Sequence, residues 1–344
     1  MNALGSRLAD QIRRDGPLRL DRFIAAALSD PGHGYYATRD PFGAAGDFVT
    51  APEISQMFGE LIGAWCADTR AKLGSSGRMI LAELGAGRGT LMSDALRAVP
   101  GLGDAELHLV ETSSALRAIQ RETLARQAPH WHDSAADLPP GPLLLIANEF
   151  LDALPIRQFE RTEQGWRERF VGLGDSGFTF TLAPTGEIFP DAPLGAIREI
   201  CPAARDLAAW LAARLARDGG AALFIDYGYA GGFGDTLQSL RAHRRHDVLE
   251  APGEADITAH VDFAAFAGAA RGLRIFGPVE QGAFLHRLGI AERAERLAQD
   301  ASPDQARAVA AAYRRLTDPA AMGSLFKVLA LAHPWSPPLA GFAT

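Results

Sequence analysis

The strongest constraint on this chain is one turn. Residues 78–98, RMILAELGAGRGTLMSDALRA, read as a short apolar strand, a glycine-rich reversal and an amphipathic helix. Glycines at such a junction let the backbone turn sharply and leave room for a ligand against the helix N-terminus. A dinucleotide fingerprint asks for GxGxxG or GxGxxA, its third small residue packing helix on strand. Here Gly85, Gly87 and Gly89 put the third glycine one position early, and Thr90 fills the expected slot. Glu83 sits just before the turn, where a carboxylate repels a pyrophosphate. It suits a cation instead, such as the ammonium of a methionine moiety.

Around this turn the pattern is β-α-β. ELHLVE and HWH read as the second and third strands, LLLIANE as a fourth that is apolar on both faces, and AALFIDYG as a fifth. LRIFGPV and SLFKVLALAH close the sheet, with two helices between them, and a helix over 203–217 precedes the fifth strand. Strands alternating with helices predict a doubly wound, mostly parallel α/β sheet. Residues 156–190 alternate at period two around Gly165 and Gly174, which predicts an inserted antiparallel meander. Before the sheet, helices are expected over 3–14, 20–28 and from Thr50 to about Lys72, the last opened by a Thr50-x-x-Glu53 capping box. The expected division is thus an N-terminal helical extension (1–77) and a Rossmann-like domain (78–344) carrying the β insertion.

Composition excludes several classes. With 47% hydrophobic residues, 344 residues can bury a large core, and no apolar run approaches the roughly 18 residues of a membrane span. The net charge of −7 gives no support to a nucleic-acid footprint. Cys66 and Cys201 match no metal or redox spacing, and no metal site is expected. The first fifteen residues lack a signal-peptide core, and only Lys72 and Lys327 are lysines among 34 basic residues, so a bacterial cytoplasmic protein is expected.

Acids end the next two strands. Glu111 is placed to accept from both hydroxyls of a ribose, and Asp133 to meet an adenine amino group. Thr112 and Ser134, which follow them, complete the candidate cofactor set. The competing reading makes Glu111 and Asp133 caps of the following helices.

The segments GYYATRDPFGAAGDFVTAPEISQMFGE (34–60), LAELGAGRGTLMSD (81–94), LLLIANEFLDALP (143–155), FIDYG (224–228), DTLQSL (235–240), DITAHVDF (256–263) and QGAFLHRLGI (281–290) together resemble the MidA-like methyltransferases. Mitochondrial members of that family are complex I assembly-factor protein arginine methyltransferases. The resemblance implies a class I fold, S-adenosylmethionine as cofactor, and a protein substrate with a target arginine, by analogy a subunit of respiratory complex I. One departure is Ala86, where the family usually has proline. A non-catalytic assembly chaperone built on the same fold is the alternative, and a small-molecule or lipid methyltransferase a weaker one.

Ligands of an open α/β sheet sit beyond the carboxyl ends of its strands. Asn148-Glu149-Phe150-Leu151, ending the fourth strand, looks like the tetrapeptide with which nitrogen methyltransferases hold a target amine. Asn148 is therefore a candidate for both cofactor and substrate. A guanidinium also needs carboxylates to hold its fork, for which Glu149 and Asp152 are the leading candidates, joined by Asp47 and Glu53 from the N-terminal motif. Glu53 is equally explained by the capping box, and Asp152 by the turn before Pro155. Asp226 and Tyr227 are weaker candidates to line the site. Asp262 is read as a helix N-cap, and His243 and His246 as a solvated turn.

Overall fold

The computed structural model describes residues 1–38, 50–74 and 79–342. Its contacts group them into two compact units. One comprises residues 1–38, Asp152–Asp206 and Tyr229–Ala265; the other comprises 50–74, 79–151, Leu207–Gly228 and 266–342. The units do not follow chain order as a division at residue 77 would. Residues 50–74 pack with the large sheet, and the β insertion packs with the N-terminal helices.

The second unit is built on strands β1 (Ile80–Leu84), β2 (Glu106–Val110), β3 (His130–His132), β4 (Leu143–Asn148), β5 (Gly220–Tyr229), β6 (Arg274–Glu280) and β7 (Phe326–Ala332). Their order is 6-7-5-4-1-2-3. β1 through β5 are parallel neighbours, whereas β7 runs antiparallel between β5 and β6. Every residue of β1 and β4 is buried, as expected of central strands covered on both faces. The strand order reverses between β1 and β4, so the ligand crevice belongs beyond their carboxyl ends.

Two helices cover this region closely. The expected helix from Thr50 to Lys72 is in fact two: α1 (Ala51–Ile54) and α2 (Gln56–Leu73), broken at Ser55. Ser55 has extended backbone and caps α2, its hydroxyl accepting from Met57 N. Thr50 makes no side-chain cap, so the Thr50/Glu53 capping box does not form. Helix α2 lies on α3 (Thr90–Ala98) with glycines at the contact. A Cβ on Gly63 would stand 2.8 Å from Ala95 Cα, and one on Gly59 2.8 Å from Leu91 O. Met57, Phe58, Ile62 and Trp65 join the sheet residues in one core.

In the other unit, helices Ala3–Asp15 and Leu20–Ser29 match the sequence expectation to within a residue at each end. They pack Leu4, Leu8, Phe23 and Ile24 with Val171 of the insertion. The meander strands are Arg157–Thr162, Gly165–Gly174 and Gly177–Pro184, all antiparallel. Leu18–Arg19 and Ile197–Ile200, which carry no strand signal of their own, extend the same sheet. A smaller sheet joins Gln238–Arg241, Arg244–His246 and Asp256–Thr258. Its hairpin turns at Ala242 and His243, both left-handed, and His243 is exposed. Among the described residues no group of His, Cys, Asp or Glu is arranged to hold a metal ion, and no helix is long and apolar enough to cross a membrane.

Candidate functional site

The glycine turn after β1 takes the form its sequence demands. Gly85, Gly87 and Gly89 have φ of 62°, 53° and 81°, left-handed values that L side chains rarely adopt. Gly85 N donates to Val110 O at the end of β2, and Gly89 stands at the N-cap of α3. The Gly87 carbonyl accepts from the amide of Gln120, which lies on α4 (Ser114–Thr123). A Cβ on Gly85 would stand 2.9 Å from the Phe150 ring, so the turn after β1 and the residues after β4 are in contact.

Two orphaned polar atoms mark the crevice between these strands. Among the described residues Glu83 Oε2 and Asn148 Oδ1 are buried without a hydrogen-bond partner. Leaving such groups unpaired costs about 1–3 kcal/mol each, which points to a polar ligand. Burial pushes the Glu83 carboxyl up to about 8, so near neutral pH it is largely protonated until a cation reaches it. Burial, with the same carboxyl adding to it, pushes the neighbouring Cys66 thiol up to about 12. Cys66 is thus an inert core residue.

Glu111, one residue past β2, is buried. Its carboxylate accepts from Ser113 N at 2.8 Å and from the Gln120 amide at 3.3 Å. Burial raises its pKa, and these donors partly oppose the rise. The N-cap of α4 is Ser113, whose hydroxyl accepts from Leu116 N, so Glu111 braces the turn without capping the helix. Asp133 is no cap either. Its side chain is 81% exposed and paired with Arg117 at 2.6 Å. Thr112 is exposed, and Ser134 caps a short 3-10 turn in a capping box with Asp137.

Beyond β4 the chain changes hand. Glu149 has φ of 49°, a left-handed value that is strained for a residue with a side chain. Its Oε1 accepts from Ala51 N and from Asn148 Nδ2, each at 3.1 Å. Glu53, freed from the capping box, accepts instead from the Thr90 hydroxyl at 2.5 Å. Two glutamates thus border the glycine turn in one unit: Glu149 through α1, Glu53 through α3. Asp226, a weaker candidate to line the site, lies at the end of β5. Its buried carboxylate faces the backbone amides of Phe150 and Leu151.

The family model for S-adenosyl-L-methionine-dependent methyltransferases matches residues 61–279, which take in the glycine turn, Glu111 and Asn148. The chain belongs to that family. It is 33% identical to a superfamily member from Burkholderia thailandensis crystallised with S-adenosyl-homocysteine, with a TM-score of 0.85 over 99% of this chain and 94% of that one. It is 38% identical to the mitochondrial protein arginine methyltransferase NDUFAF7 of Danio rerio, over 93% of this chain and 84% of that protein. The human protein of the same name is 37% identical, over 93% and 81%.

For a methyltransferase of this family the crevice fits the cofactor. The buried, unpaired Glu83 oxygen suits an ammonium, and the left-handed glycine turn follows it directly. The carboxylate of Glu111 ends the strand next to it. When bound, S-adenosylmethionine supplies an electrophilic methyl on a sulfonium, and the protein's task is to orient a nucleophile toward it.

The remaining candidates divide. Asp47 lies outside the described residues. Asp152 belongs to the other unit, where it is buried and its carbonyl accepts from Ala259 N. There Tyr36 donates to Asp256 at 2.8 Å, and burial with Asp256 and Asp152 nearby drives the phenol pKa well above its ordinary value. His260 is held with a lowered pKa by burial, its backbone N–H on the Thr236 hydroxyl. Asp262 caps the following helix through Ala265 N at 3.0 Å. No motif in the local sequence marks Gln120, Tyr36 or Asp256 for a role in the site. The available signal for Gln120 was a polar residue on the apolar face of an otherwise charged helix, where burial requires partners.

Proposed function

We propose that this chain methylates an arginine side chain of a protein substrate, by analogy with its mitochondrial relatives a subunit of respiratory complex I. The observation that carries the reading is Glu149. A non-glycine residue in left-handed conformation, its carboxylate held at the carboxyl end of a central strand beside an unpaired Asn148 oxygen, is a strained and specific arrangement. A guanidinium nitrogen shares its lone pair with the π system and is a weak nucleophile. A carboxylate that grips the fork orients that nitrogen and balances the charge as the methyl arrives. Transfer would form the N–C bond as the sulfonium C–S bond breaks, and the proton released from the nitrogen would pass to solvent. Glu149 offers the carboxylate, Asn148 a neutral acceptor, and Glu53 further negative charge. The names of the relatives support the substrate class, and the scarcity of lysine supports a bacterial source.

The test is to incubate the protein with tritiated-methyl S-adenosylmethionine and a bacterial lysate. Label is expected in the protein fraction, released as methylarginine on hydrolysis. Label confined to the solvent-extractable fraction would transfer the activity to a small molecule or lipid. Absence of both methyl transfer and cofactor binding heat would leave an assembly chaperone.

A further inference from the structure

Parallel strands β4 and β5 pair in register as far as Asn148 opposite Ile225, and Glu149 N still donates to Ile225 O at 2.9 Å. After that the β4 chain leaves the ladder, and the next two amides, Phe150 N and Leu151 N, have lost their strand acceptors. Buried amides do not stay unpaired. Both converge on one oxygen: Asp226 Oδ2 accepts from Phe150 N at 3.2 Å and from Leu151 N at 3.0 Å. The other oxygen, Oδ1, accepts from Tyr227 N at 2.9 Å. Asp226 is 1% exposed, and a carboxylate so far from water is tolerable only with such donors. The peptide bearing Glu149 is therefore fixed on both sides, by the last ladder bond before it and by the Asp226 carboxylate after it. Its left-handed φ is held in place between these two anchors.

We propose that Asp226 is a positioning residue for methyl transfer, a carboxylate that clamps the 149–151 backbone and so aims the Glu149 side chain. The proposal rests on the reading of Glu149 given above. Asp226 touches no reacting atom; it extends the strand ladder by two amides at the point where the chain must turn toward the crevice. Asparagine cannot replace it, because its NH2 would face either the Tyr227 amide or the Phe150 and Leu151 pair, donor against donor.

The test compares Asp226→Asn, Glu149→Gln and the double variant with the wild-type protein. Cofactor affinity is read by calorimetry, and initial rates of tritiated methyl incorporation into lysate protein are read across S-adenosylmethionine concentrations. Asp226→Asn is expected to leave the cofactor Kd and KM within about 3-fold while the saturating rate falls about 10–100-fold, the scale of a misplaced catalytic group. In the Glu149→Gln background it is expected to lower the rate no more than about 2-fold further, because one residue acts through the other. A normal rate for Asp226→Asn with Glu149→Gln impaired overturns the clamp alone. So does full multiplication of the two losses, or an equal loss of cofactor affinity and rate. Full activity in Glu149→Gln overturns the reading of Glu149 and the clamp with it. If Asp226→Asn does not fold, Asp226→Glu keeps the charge and acceptors but shifts them by one methylene. It is expected to show the same split between affinity and rate, with faster hydrogen exchange at Phe150 and Leu151 than in the wild type. Unchanged exchange and rate in that variant overturn the proposal.

Discussion

Replacing Glu83 by glutamine isolates the electrostatics of the cofactor crevice. The wild-type carboxyl titrates near 8 in the folded chain against an ordinary value of 4.5, because burial disfavours its charged form. A raised folded value means that the stabilising contribution of this group is fully present below pH 4.5, erodes as pH rises and is lost through pH 8. At about 1.4 kcal/mol per unit, the shift sets an upper bound on the order of 4–5 kcal/mol for the ligand-free protein. The glutamine variant carries no such dependence. Between pH 5.5 and 8.5 its thermal midpoint, measured without cofactor, should fall less than that of the wild type. Cofactor binding should show the converse. If an ammonium pairs with Glu83, binding expels the carboxyl proton, so wild-type affinity rises with pH by up to about tenfold per unit between 6 and 7.5. The variant should bind about 10–100-fold more weakly at pH 7.5, the worth of one charge-assisted contact, and with a shallower pH slope. Calorimetry in two buffers of different ionisation enthalpy counts the expelled proton directly. Equal proton release and equal affinity in both proteins would refute the argument and place the cation elsewhere.

Glu149→Gln keeps an acceptor for Ala51 N and Asn148 Nδ2 but removes the charge, so cofactor affinity should stay near normal while methyl transfer falls by about 10²–10³, read by calorimetry and single-turnover labelling on one preparation. Glu111→Ala removes a buried carboxylate with two candidate ribose contacts and should weaken S-adenosylmethionine binding by about 2–4 kcal/mol. An unchanged dissociation constant would confine Glu111 to bracing Ser113 and Gln120. Gly63→Val should destabilise the second unit by about 1–3 kcal/mol in urea unfolding, because its Cβ would meet the Ala95 backbone at 2.8 Å. A stability equal to the wild type would show that α2 and α3 separate freely.

Much of this protein is written locally. The glycine turn was legible because left-handed backbone at Gly85, Gly87 and Gly89 has a residue-type requirement that no neighbour can alter. The wholly buried strands announce themselves by continuous apolar runs, and the meander by period-two alternation. Glu111 and Asp133 stand at strand ends by chain order alone. Tertiary structure decided the rest, because it concerns which distant partner a polar group finds. Thr50 and Glu53 have the spacing of a capping box, yet Glu53 bonds to Thr90 and Ser55 starts the long helix. Leu18–Arg19 and Ile197–Ile200 become strands only because the meander presents edges to them. β7 runs antiparallel between β5 and β6, an order no residue type imposes. Asp226, at a strand end like Glu111, serves backbone amides some seventy-five residues earlier in the chain. A carboxylate's type and place in a strand come from sequence, but burial and the donors that reach it come from the packed fold.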